Sequence, residues 1–476
     1  MLPGDSSKKQ SSDDLAPEET TIANAKEISL RPSFTPGRSR FSPRLPPKSG
    51  PKEPNFSLNN LLHAYNTSSS ASASASTAAI SIADNEDLLI QILLFLPPKS
   101  LLRFQSVSRQ WLAIISSPIF CRLYSTRHPT TTKGLFLFRR RLINFITFSD
   151  NLVNSTGNFV SNLGNLFNNG EITSLHSCNG LLAVVFELDD YIGHKEFIVY
   201  NPTTRKHRII PRLNSWERIH RYVALNIVFD PLKSDYYKLV YVWRESYANA
   251  EEYELTEERY GFSVYASEVG IWRDSMDALE MDEDDPSMHI YFEKGVLWNG
   301  NLHWISDGKY NFWFDLDKEC LNWTVPSLPF PLGRWDLRYF GGSGGCLFVI
   351  ECKDFGGVVF DIFELSRDYS KWVLKYHVDL APLRTLYPSM VDDDLEPCCG
   401  ERCKVYIPCF LNDEKENKAK LVISVLRKII LYDTNDMTVK EIAEVDSGPG
   451  NAEADCWDVL YKWSDAHQHI ETLAYV

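Results

Sequence analysis

The chain has 476 residues, of which 44% are hydrophobic, 24% charged and 13% aromatic; this excludes a wholly disordered protein, and a length well above the ~150-residue domain prior predicts at least two regions. Its 49 Lys and Arg stand against 63 Asp and Glu, a net charge of −14 that argues against binding a nucleic-acid backbone through the chain as a whole. Ten scattered cysteines, no apolar segment near the N-terminus and no run approaching ~18 apolar residues predict reduced thiols in the cytoplasm or nucleus, with neither signal peptide nor membrane span.

Residues 1–82 are rich in Pro, Ser and Ala and end in a Ser/Ala run from Ser68 to Ser76. Such a segment cannot bury enough apolar surface to offset its ordering entropy and reads as a disordered tail. The stretch from Arg31 to Lys52 carries basic residues and no acidic one; it reads as a solvated linker, with a nuclear-import or docking tract as the alternative.

From Asp84 to Phe120 the pattern becomes helical. Leu88, Leu89, Ile92, Leu93 and Leu96 form one apolar stripe, with Asp84 or Asn85 as N-cap and Asp87 in the first turn. Pro97-Pro98 ends that helix. A second pattern runs through Leu101, Leu102, Phe104 and Val107, and Ser108 caps a third short helix carrying Trp111, Leu112 and Ile115 before a stop at Ser116-Ser117-Pro118. A domain of ~40 residues cannot hold a stable core alone, so residues 83–129, predicted as three short helices, need something to dock on.

From residue 134 to 476 the texture is of short Val, Ile, Tyr, Phe and Trp runs between Gly, Asn-Pro and Asp turns, the pattern of many antiparallel strands. A strand ending in an aromatic, a polar turn and a return strand recurs at Tyr200, Tyr265, Phe314, Phe363 and Tyr432, spaced 65, 49, 49 and 69 residues apart. Polar insertions, Ala248 to Glu258 and Asp392 to Lys418, are expected to account for the two long intervals. Upstream, Asn179-Gly180, Asn299-Gly300 and Gly344-Gly345 each lead an apolar strand. The repeat therefore has the outline of a four-stranded blade, and its length predicts a β-propeller of about six blades, of kelch or galactose-oxidase-like repeat length. A pair of β-sandwiches is the alternative. The C-terminal segment, through Trp457–Tyr461 and His469–Ala474, is expected to close the ring, because an open circle leaves an unpaired edge.

The residues offer little catalytic chemistry. The histidines are dispersed and form no HExxH, GxSxG or P-loop pattern; His303, between Leu302 and Trp304, reads as a strand residue with a satisfied hydrogen bond. Cys398, Cys399, Cys403 and Cys409 are the best metal candidate. Adjacent cysteines and strand alternation through Lys404–Pro408 argue against a closed site, so no metal, no cofactor and no catalytic residue is expected.

The segment Asp84-Asn85-Glu86-Asp87-Leu88-Leu89 through Leu96-Pro97-Pro98, Leu101-Leu102-Arg103-Phe104, Val107-Ser108-Arg109-Gln110-Trp111 and Ser117-Pro118-Ile119-Phe120 resembles an F-box. It departs at Asp84-Asn85, where the family usually has Leu-Pro. Downstream, Ser177-Cys178-Asn179-Gly180-Leu181-Leu182, Tyr200-Asn201-Pro202-Thr203-Thr204, Val228-Phe229-Asp230-Pro231 and Val264-Tyr265-Ala266-Ser267 resemble the F-box-associated domain of plant F-box proteins. The resemblance covers residues 84 to 476. It implies a non-catalytic substrate receptor of an SCF-type ubiquitin ligase, whose F-box holds a Skp-family adaptor and through it cullin, and whose propeller binds a protein target. The alternative is a propeller scaffold whose F-box no longer engages the adaptor, motivated by Asp84-Asn85.

On that reading Leu88, Leu89, Ile92, Leu93, Leu96, Pro97, Leu101 and Trp111 divide between the adaptor interface and the F-box's own small core. Target contacts are expected on connecting loops that place Trp and Arg together, namely Trp216 and Arg218, Trp243 and Arg244, and Arg334 and Trp335. Residues 130–476 carry 35 basic against 53 acidic side chains, which favours a basic or neutral target surface.

Overall fold

The computed structural model describes residues 85–128, 131–139, 142–148, 170–188, 194–213, 220–245, 259–280, 288–307, 311–324, 337–353, 358–391, 404–413, 418–425, 427–445 and 461–476. The N-terminal tail, its basic tract and the polar insertion at 248–258 lie outside them.

Among the described residues the chain opens with α1 (Glu86–Leu93), α2 (Pro98–Phe104), α3 (Arg109–Ile115) and α4 (Pro118–Arg127). Local chemistry sets each start. Asn85 caps α1, its Oδ1 accepting from the Leu88 amide at 3.2 Å, with Glu86 and Asp87 in the first turn. Pro98 occupies the first turn of α2, and the Ser108 hydroxyl caps α3 by accepting from the Trp111 amide. The three expected helices are α1 to α3, and a fourth follows them. Ser117-Pro118, read from sequence as a stop, is a start: the Ser117 hydroxyl accepts from the Phe120 amide, and Pro118 falls in the first turn, where its missing N–H costs nothing.

Six antiparallel sheets follow. Five have four strands in sequence order, running β3 (Gly170–Cys178), β4 (Leu181–Leu188), β5 (Lys195–Asn201), β6 (Lys206–Ile210); β7 (His220–Val228), β8 (Lys238–Glu245), β9 (Arg259–Ala266), β10 (Ile271–Glu280); and β11 (Val296–Trp298), β12 (Asn301–Trp304), β13 (Asn311–Asp315), β14 (Cys320–Thr324). The fourth and fifth of these are β15 (Leu337–Ser343), β16 (Cys346–Cys352), β17 (Val359–Leu365), β18 (Trp372–Asp379), and β19 (Val405–Asp413), β20 (Lys418–Val425), β21 (Lys428–Asp433), β22 (Val439–Glu444). The sixth joins β1 (Gly134–Arg139) and β2 (Leu142–Thr147) to β23 (Ala466–His469) in the order β2-β1-β23.

The first strand of each four-stranded sheet packs on the first strand of the next, directly or through the turn before β11, and β23 lies between β19 and β3. The result is a six-bladed β-propeller.

The recurring aromatics occupy one structural position. Tyr200, Tyr265, Phe314, Phe363 and Tyr432 lie on β5, β9, β13, β17 and β21, the third strand of each blade. The Asn-Gly pairs are the tight turns between first and second strands: Asn179 and Gly180 have φ of 44° and 90°, and Asn299 and Gly300 51° and 85°, as a two-residue type I′ hairpin requires. Facing blades interdigitate through aromatics, Phe348 of β16 against Phe410 of β19 at 4.9 Å and Phe262 of β9 against Phe314 of β13 at 5.4 Å between centroids.

Two expectations need correction. The interval from Asp392 to Lys418 is not a single polar insertion, since it contains β19, the inner strand of its blade; 392–403 and 414–417 lie outside the described residues. The closing strand is Ala466–His469, not His469–Ala474, and of Trp457–Tyr461 only Tyr461 is described. It pairs with β1 in the register Leu137↔Ala466, Phe136↔His467, Leu135↔Gln468 and Gly134↔His469. Its polar sequence hides the role because the buried alternate positions are His467 and His469, the latter packed edge-on against Phe136 and Phe145.

Candidate partner-binding surfaces

The four helices divide their apolar residues sharply. Leu89, Leu93 and Leu101 are buried with Leu94, Ile114, Ile115, Phe120 and Tyr124 in the small core, with Leu96 and Trp111 half-buried at its edge. On the other side of α1, Leu88 is 45% and Ile92 47% exposed, and Phe95 just beyond the helix is 67% exposed. These sit at i, i+4 and i+7, one helical stripe. Pro97 is exposed, as are Val107 and Leu112. The eight residues singled out from sequence therefore fall into three sets, with Leu96 and Trp111 at the edge between the other two. Leu88, Ile92 and Pro97 face outward, whereas Leu89, Leu93 and Leu101 are taken by the core.

Phe95 was missed, although its spacing from Leu88 and Ile92 carries the signal. The Arg127 guanidinium lies 3.7 Å from its ring centroid. A cluster of large apolar side chains left in water on so small a helical unit marks a protein-binding surface.

The helical unit sits on the propeller through the C-terminal segment. Beyond β23, residues 470–476 run without sheet pairing from the closing blade to the blade of β3–β6. Asn201, fully buried, holds them: its Nδ2 donates to the carbonyls of Thr472 at 3.2 Å and Ala474 at 2.7 Å, while its Oδ1 accepts from the amides of Thr203 and Thr204. The Thr472 amide donates to the Thr203 hydroxyl. A cleft of about 20 Å³ between Gln105, Ile115, Lys206 and Tyr475 has room for roughly one water and no organic ligand.

Inside the propeller the buried His176 and His303 are engaged in structure. His176 on β3 donates from Nε2 to the Gly295 carbonyl at 2.7 Å, and its Nδ1 accepts from the Ile227 amide of β7 at 3.1 Å. Burial pushes its pKa down to about 4. Asn226 on β7 donates to the Phe292 carbonyl and accepts from the Gly295 amide, both at 2.9 Å. These two side chains stitch β3 and β7 to the turn before β11. His303 is bonded at both nitrogens, to the Asn301 carbonyl at 3.1 Å and the Tyr369 hydroxyl at 3.0 Å, and burial lowers it to about 4.

Of the four cysteines weighed for metal, three lie outside the described residues. Cys409 is buried on β19 with its thiol pushed up to about 12 by burial. Among the described residues no group of His, Cys, Asp and Glu is placed to hold a metal ion.

The expected target-binding pairs fare unevenly. Trp216, Arg218, Arg334 and Trp335 lie outside the described residues. Trp243 and Arg244 are on β8 rather than a loop, in register with Gly261 and Tyr260 of β9. The Trp243 indole lies across Gly261 and donates to the Ser263 hydroxyl at 3.2 Å. The glycine on the neighbouring strand leaves the space that the ring fills, so this tryptophan packs a blade.

Comparison with known proteins follows the same division. Residues 85–123 match the F-box domain and residues 134–336 the F-box associated beta propeller domain. The Arabidopsis thaliana F-box protein At5g07610 is 28% identical over 84% of this chain and 94% of its own length. A second Arabidopsis relative, F-box protein At5g49610, is 24% identical over 64% of this chain and 81% of its own.

Proposed function

Given that the chain is a plant F-box protein with an associated β-propeller domain, we propose that it is the non-catalytic substrate-recognition subunit of an SCF-type E3 ubiquitin ligase. The F-box docks on a Skp-family adaptor, and through it on cullin, while the propeller captures a protein target. The observation that carries this reading is the outward stripe Leu88, Ile92 and Phe95 on a helix whose opposite face is already committed to its own core. Burying such side chains contributes ~1.5–3 kcal/mol each, enough for a partner of apolar chemistry to bind there.

At the departure from the family pattern Asn85 caps α1, and the helix that bears the stripe starts in the ordinary way, which supports adaptor binding over a degenerate F-box. For the target, loop residues Trp216, Arg218, Arg334 and Trp335 stay as proposed contacts, and the acidic balance of the propeller favours a basic or neutral surface.

The test is co-purification of the full chain with a Skp-family adaptor, beside the double variant Leu88→Asp, Ile92→Asp. Capture by the wild type and loss in the variant, with an unchanged melt, is expected. Capture retained by the variant would move the adaptor surface elsewhere.

A further inference from the structure

Residues Leu473 to Val476 divide their side chains between two bodies. Leu473 is buried within the helical core, among Leu89, Leu93, Ile115 and Phe120, and its carbonyl accepts from the Cys121 thiol of α4 at 3.3 Å. Ala474 and Val476 are buried in the apolar cluster between the blades of β3–β6 and β7–β10. An extended chain turns successive side chains to opposite sides, so one short segment serves as a shared wall.

Its backbone is held independently of those side chains, by Asn201 and by the Thr203 hydroxyl. At its upstream end the segment is continuous with β23, which closes the propeller and also bonds the linker between α4 and β1, the Lys133 amide donating to the His469 carbonyl at 2.8 Å. A further bridge, the ion pair of Arg122 with Asp235, is half exposed on its Arg side and contributes little by itself.

We infer that the segment Ile470–Val476 is a splint that locks the F-box to the propeller as one rigid body, with Leu473 as the peg that fixes their relative orientation. Two domains joined by a short linker and surface contacts such as this ion pair move relative to each other by default, and a buried apolar connection suppresses that motion. The inference goes beyond adaptor binding: it says that the direction in which the propeller presents a target to the ligase is set by the C-terminal segment and not by the linker.

The experiment uses the full chain with a donor and an acceptor dye attached through unnatural amino acids at two exposed positions, Ala113 of α3 and Asp436 in the turn after β21, leaving the native cysteines untouched. Single-molecule energy transfer in the wild type is expected to give one narrow distance distribution. Leu473→Ala is expected to broaden it by roughly twofold, and Thr203→Val, which removes the acceptor for the Thr472 amide, to broaden it less. If Leu473→Ala fails to fold, the Thr203→Val comparison decides.

Widths equal to wild type in the folded variants would overturn the splint. Adaptor co-purification of Thr203→Val is expected to persist, since Leu88, Ile92 and the helical core are unchanged in that variant. Failure of the wild type to bind adaptor would sink the ligase reading while the distance widths still judge the splint.

Discussion

The side-chain nitrogen of Lys294 stands 3.0 Å from Nε2 of His467, where the turn before β11 meets the closing strand β23. Lys294 also reaches the Ala466 carbonyl at 3.3 Å. Two groups that each carry positive charge when protonated cannot both be charged at this distance in a buried place. Burial accordingly pushes Lys294 down to about 7, against the opposing pull of Asp465 and Glu293, and burial followed by Lys294 holds His467 well below its ordinary value.

Stability should therefore depend on pH on both sides of neutrality. His176 and His469 take up protons near pH 6.5 in the unfolded chain but near 4 in the fold, mainly through burial. The unfolded state binds more protons between those values, so stability is expected to fall as pH drops from 6.5 to 4, by an order of 3 kcal/mol for each imidazole. Lys294 acts in the same sense at higher pH, its own contribution rising from about 7 toward 10.5 and opposed above about 9 by the buried thiols of Cys121, Cys178 and Cys409, which burial raises. Urea unfolding midpoints across this range check both limbs, and Lys294→Met should remove its part of the alkaline rise.

The two sides of α1 should separate in mutation. Leu93→Ala, in the core, is expected to cost about 2–5 kcal/mol of helical-unit stability. Ile92→Ala, half exposed, should leave the melt within about 0.5 kcal/mol while weakening adaptor capture. Parallel thermal melts and pull-downs distinguish them; a large loss of stability in Ile92→Ala would contradict the division.

Asn226→Ala should destabilise the propeller by about 2–4 kcal/mol, because it leaves the buried Phe292 carbonyl and Gly295 amide without their side-chain partner. Denaturant unfolding gives the value directly.

Removal of residues 461–476 takes away β23 and exposes the inner edge of β1. The expected outcome is loss of the cooperative melt of the whole propeller, read by calorimetry. A two-state transition at the wild-type temperature would show that the ring does not need this strand.

A deletion starting at residue 83 is expected to melt and bind adaptor as the full chain does, since the tail's composition supports neither core nor docking helix. Calorimetry and co-purification of the shortened protein check this.

The blades were legible because their repeat puts the same residue types in the same structural position: Tyr200 and Tyr265 close third strands, and Asn179-Gly180 and Asn299-Gly300 can only be tight turns. The α1 stripe was legible as apolar, but which leucine faces out depends on where the other helices pack, and periodicity alone cannot say. Trp243 looked like a loop hot spot because nothing local shows that Gly261, on the next strand, makes room for it. The bonding roles of His176, Asn226 and Asn201 were invisible for a related reason. Their partners are backbone groups of distant segments, and no residue type announces such a partner.

The placement of Leu473 has a consequence for biosynthesis. It lies 352 positions after Cys121, whose thiol it receives, so the helical unit leaves the ribosome without the last piece of its core. At translation rates of ~5–20 residues per second the gap lasts on the order of half a minute. During that interval α1 to α4 have only their own few side chains to hold them, and the first blade lacks its inner strand. A nascent chain in this state shows apolar surface on both parts, and the helical core and the closing blade reach their packed arrangement only after β23 and Leu473 have been added.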